Sequence, residues 1–87
     1  MHLETIKTIL REEDILGLIN PTGAPPDEYD GEAELFFQRH QEGSSKEEIE
    51  ELIKQIFIEM FWEKYIIKRD FSKIAERLLK AQEEAKA

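Results

Sequence analysis

Eighty-seven residues, 40% apolar and 37% charged, make one domain, too small for two independent cores and too apolar to stay disordered. The absence of cysteine removes disulfides, thiol catalysis and thiolate metal sites. The net charge of −8 sets the surface against phosphate backbones and anionic lipid, so nucleic-acid and membrane binding are not expected and a basic protein partner, neutralised by the acidic amino-terminal half, is favoured in principle.

The charge is uneven: residues 1–43 carry −7 and residues 44–87 carry −1. Residues 1–11 mix charged and apolar side chains at helical spacing, unlike a signal peptide, and no apolar run reaches the length of a membrane span. A cytoplasmic location is the expectation that follows.

Leu3, Ile6, Ile9 and Leu10 mark a first helix over 3–13, with Glu4, Lys7, Arg11 and Glu12 on its wet side and an exposed His2 before it. Residues 14–26 then form an apolar loop. Gly17 and Gly23 allow positive φ, while Pro21, Pro25 and Pro26 stop a helix from continuing. The expectation is an ordered connection pinned by Ile15, Leu16, Leu18 and Ile19, with a short turn at 14–18 capped by Asp14.

A second helix is expected over 28–42, with Asp27 at its N-cap and Glu28 and Asp30 facing the positive end of the dipole. Tyr29, Ala33, Phe36, Phe37 and His40 form its stripe, and Gly43 stands as its C′ glycine. Ser45 and Glu48 make a capping box for a third helix that runs from 46 to 62 or beyond. Asp70 caps a fourth over 71–84, buried through Phe71, Ile74, Ala75, Leu78 and Leu79, with residues 81–87 as a fraying tail. The run at 65–67 is the one weak strand signal. The fold class is all-α, a small bundle of four helices with an ordered Pro/Gly-containing loop between the first two, in a single domain over 1–87.

The third helix carries two stripes. Ile49, Leu52, Ile53, Ile56, Phe57 and Met60 share the face that turns to a core. Ile58, Phe61, Trp62 and Tyr65 point the opposite way, at i, i+3, i+4 and i+7. Glu63 falls on the core stripe where an apolar residue is wanted, so the helix bends or ends there or its stripe is no longer covered. Ile58, Phe61, Trp62 and Tyr65 are either buried under the first helix and the 15–19 segment or form a surface for a protein partner or a second copy.

The run Asp14-Ile15-Leu16-Gly17-Leu18, followed by Ala24-Pro25-Pro26-Asp27-Glu28-Tyr29-Asp30, resembles the signature of the YugE-like family, small helical bacterial proteins of unknown function. The resemblance spans roughly residues 3–62, and the Asp-Glu-Tyr-Asp element is its most specific part. Glu13 and Ile15 replace the family's usual tryptophan and proline, and Trp62 stands where the family has a glycine. The resemblance implies an all-α fold in a bacterial cytosol and supplies no reaction.

Asp27, Glu28, Asp30, Glu32 and Glu34 are the densest acidic cluster, and helix capping accounts for Asp27, Glu28 and Asp30. The alternative use is a divalent-cation or small-molecule site, although a helix splays these carboxylates and the calcium-loop spacing is not met. Tyr29 is expected to pack its ring under the loop and bond its hydroxyl to a carboxylate or backbone group. His40 reads as a partly buried edge residue, and Ser44, Ser45 and Ser72 as caps. No nucleophile–base set and no phosphate-cradling loop is visible. The functional expectation is a small acidic non-catalytic module that binds a protein or itself, without cofactor or metal.

Overall fold

In a computed structural model of the chain, residues 1–17, 23 and 27–85 are described, and every regular element among them is helical. The elements are α1 (Leu3–Glu13), α2 (Asp30–Arg39), α3 (Lys46–Met60), the short α4 (Glu63–Ile66) and α5 (Ser72–Ala85). No described helix is long and apolar enough to cross a membrane. The expected conformation of Leu18, Ile19, Pro21, Pro25 and Pro26 lies outside the described residues.

The four longer helices pack in a ring, α1 on α2, α2 on α3, α3 on α5 and α5 back on α1. Their apolar stripes meet in one core: Ile6, Ile9 and Leu10 from α1, Ala33 and Phe36 from α2, Ile49, Ile53, Ile56 and Phe57 from α3, and Ile74, Ala75 and Leu78 from α5. Phe57 lies near its centre, 5.4 Å edge-on to Phe71 and 5.9 Å from Tyr29 between ring centroids. Each side of the ring also carries a charged link. Lys7 reaches Asp30, Arg39 grips Glu59 through two N–H···O bonds, Lys46 meets Glu76, and Arg77 takes Glu12 and Glu13 together. Such surface pairs are each worth little, so they select helix neighbours more than they stabilise them.

α1 and the start of α3 follow the expected boundaries. Ser45 Oγ accepts from the Glu48 amide while Glu48 Oε1 accepts from the Ser45 amide, which completes the capping box. α2 is shorter than expected at both ends. Tyr29, not Asp27, is its N-cap; Asp27 instead holds a preceding turn by accepting from the Asp30 amide through its carbonyl. His40 ends α2, and Gly43, at φ +88°, sits in the following turn, where Ser44 Oγ bonds back to the Gln41 carbonyl. Phe37 leaves the expected stripe and is exposed. Asp70 stands two residues before the start of α5, where its carboxylate accepts from the Ser72 amide.

The largest departure is at the end of α3. The helix stops at Met60, Phe61 and Trp62 are extended, and a separate turn of helix, α4, follows. No glycine or proline forces the break. A continuous helix would carry Glu63 into the core stripe and leave Ile66 roughly 100° away from it. With the break, Glu63 is exposed and Ile66 is fully buried. Burying an isoleucine in place of a carboxylate is the favourable exchange. Met60, expected in the core, is exposed at the last position of α3, beyond which the core stripe is not continued.

Candidate interaction surface

Breaking α3 divides the expected second stripe. Ile58 and Phe61 stay partly buried against the core, Phe61 stacked on Phe57 at 5.7 Å between centroids. Trp62 and Tyr65 are carried away on the extended link and on α4, where they are 69% and 58% exposed. Met60 and Ile67 are exposed beside them. Two of the four residues thus serve as a base and two stand free.

Trp62 and Tyr65 lie 6.3 Å apart, and Lys64 Nζ sits 5.1 Å and 5.2 Å from their ring centroids. The ammonium is drawn to the ring faces and helps hold the two aromatics as one unit. Leu16, Met60, Phe61, Trp62, Tyr65 and Arg69 enclose an open groove of about 420 Å³. Arg69 is oriented by Nε, which donates to the Tyr65 carbonyl at 3.3 Å.

The loop side of this groove is positioned by the residues that carry the family resemblance. The Tyr29 hydroxyl donates to Asp14 Oδ1 at 2.5 Å and accepts from the Leu16 amide at 3.2 Å, with the Tyr29 ring buried. Tyr29 thus does what its position in the sequence leads one to expect. Asp14 ends α1 in the left-handed region at φ 42°, a conformation aspartate tolerates, and the Gly17 amide, at φ 67°, donates to its carbonyl. The side chain of Asp14 thus accepts from Tyr29, and the expected turn at 14–18 runs past the described residues at position 18. Leu16, held through this pair, forms the groove wall opposite Trp62. Leu18 lies outside the described residues.

The acidic cluster is not brought together. Asp27, Glu28 and Glu34 are exposed, and Asp30 faces Lys7 across 3.8 Å. Glu32 is only 4% exposed, and its Oε2 meets no hydrogen-bond partner. Burial raises its pKa above the ordinary value, its own backbone amide opposes this, and the charges of Glu28 and Asp30 add to the rise. Among the described residues no group of three or more histidines and carboxylates stands where it could hold a metal ion.

His40 stacks on Phe36 at 5.2 Å, and its Nε2 meets Gln82 Oε1. The Gln82 amide nitrogen donates to the Ser44 carbonyl, which leaves Oε1 as the acceptor for an Nε2–H tautomer. The histidine thereby ties the end of α2 to α5. Its surroundings account for it structurally.

Met60, Leu16 and Arg69 were not legible as parts of one surface from the periodicity of a continuous helix. The available signal was the cationic run Lys64, Lys68 and Arg69 interleaved with aromatics in an otherwise acidic chain. No family model matches the chain, and no match to it is found among curated proteins or solved structures.

Proposed function

We propose that this protein is a non-catalytic interaction module whose docking surface is the corner formed by Phe61, Trp62 and Tyr65 over Ile58. The observation that carries the reading is the exposure of the chain's one tryptophan beside Tyr65, Met60 and Ile67, at a point where the fold breaks a helix. Small monomeric domains bury large aromatics when they can, and clustered exposed ones commonly mark interfaces. The acidic composition and the absence of cysteine fit a cytoplasmic protein that binds neither nucleic acid nor membranes and needs no cofactor. Membership of the YugE-like family is part of this proposal and rests on the sequence signature over residues 14–18 and 24–30 alone.

Trp62→Glu is the test. A residue this exposed contributes little to folding, so stability should change by no more than about 0.5 kcal/mol. Capture from native cell extract with the wild-type chain and with this variant should then recover a protein with the first alone. Sedimentation at two concentrations separates self-association from binding of another protein. Equal recovery by both chains, with no self-association, removes the proposal.

A further inference from the structure

We infer that the occupant of this surface is an acidic amphipathic segment of another protein, with apolar side chains entering the groove and carboxylates meeting Lys64, Lys68 and Arg69. The inference rests on the docking reading just given and adds the chemistry of the partner.

Charge complementarity selects that occupant. Residues 61–70 carry a net charge of +1, and the rest of the chain carries −9. Elsewhere, Lys7, Arg39, Lys46, Lys73 and Arg77 have carboxylate partners within the fold, and Lys54 and Lys80, which pair with no carboxylate among the described residues, are single cations and not a group. Lys64, Lys68 and the terminal nitrogens of Arg69 have none among the described residues, which include every aspartate and glutamate of the chain. The corner thus pairs exposed aromatic anchors with uncompensated cations. Asp70 does not neutralise them freely, because its carboxylate is engaged by the Ser72 amide, which also holds its pKa low.

A second copy is a poorer fit. A two-fold interface on this patch would set Lys64, Lys68 and Arg69 of each copy against the same cations of the other. An anionic membrane, as an extended surface, would face the −9 carried by the rest of the chain as well as this corner, whereas a short segment meets the corner alone within a screening length. A folded or folding peptide with one apolar stripe flanked by Asp and Glu satisfies both the groove and the charges. The cations of the corner would hold the carboxylates of that segment at short range, in contacts that salt weakens.

Selection of displayed random peptides on the full chain tests this, with the Trp62→Glu chain as counter-selection. The expected outcome is enrichment of peptides with Leu, Phe or Trp at helical spacing and flanking carboxylates. Trp62, as the chain's one tryptophan, then reads binding directly by a blue shift of its emission on titration with a selected peptide. Reversing Lys64, Lys68 and Arg69 together to Glu should weaken that peptide on the order of tenfold or more, and added salt should weaken it further. Enriched peptides that lack acidic residues overturn the inference while leaving the docking surface intact. Equal enrichment on the Trp62→Glu chain removes the surface itself. Failure to enrich any peptide, concentration-dependent burial of Trp62 in the chain alone, or capture by phosphatidylserine vesicles that Trp62→Glu abolishes, each overturns the acidic segment as occupant.

Discussion

The Tyr29 hydroxyl serves at once as donor to Asp14 and acceptor for the Leu16 amide, so one oxygen fixes the end of α1 to the start of α2. Tyr29→Phe keeps the buried ring and removes both bonds, leaving a carboxylate and an amide without their partner. The expected loss is about 1–2 kcal/mol in a denaturant titration. Because Leu16 also walls the groove, binding at the surface should weaken with it. Glu32 works in the other direction. Its folded carboxyl binds a proton more tightly than the ordinary value of 4.5, so stability falls as pH rises through 4.5 toward the folded pKa and stays lowered above it. Glu32→Met should therefore raise stability at neutral pH by about 1–2 kcal/mol, by removing an unpartnered buried charge. Thermal melts at neutral pH and below 4.5 check this, since the gain should shrink on acidification.

At the scale of elements, α2 carries a glycine in its first turn, opening with Asp30 and Gly31 behind an N-cap that makes no side-chain bond. Gly31 is exposed, and a Cβ added there would lie an ordinary 3.9 Å from Met60 Cε. Gly31→Ala should accordingly stabilise the protein by about 0.5–1 kcal/mol, read from the shift in melting temperature. The limits of α1 were legible from periodicity alone, and the start of α3 because periodicity and the Ser45–Glu48 capping box agreed. The end of α3 was legible only in part: Glu63 on the core stripe signalled a bend or an end, while the exact position of the break, at Phe61 and Trp62, was not. What decides the break is the burial of Ile66 and Phe71, a tertiary gain of which Glu63 on the core stripe is the local sign. The candidate surface inherits that blindness. Trp62 and Tyr65 were legible as conspicuous side chains, but their neighbours Leu16 and Arg69 come from segments whose meeting depends on the break.

Across the whole molecule, the ring is closed by its last element. α5 packs on α1 and α3, and Arg77 reaches Glu13 and Glu12 across 64 and 65 positions of sequence. Contacts of that span carry the largest loop-closure cost and form late. During synthesis the first three long helices therefore emerge with the inner faces of Ile6, Ile49 and Ile53 uncovered, and they wait for α5 before the core can seal. A chain ending before Ser72 should show helical circular dichroism, bind a hydrophobic dye and melt without a cooperative transition. In the cell, that interval leaves a nascent chain whose greasiest surface is the unfinished core, and a chaperone at the ribosome exit would meet it there before any mature partner could.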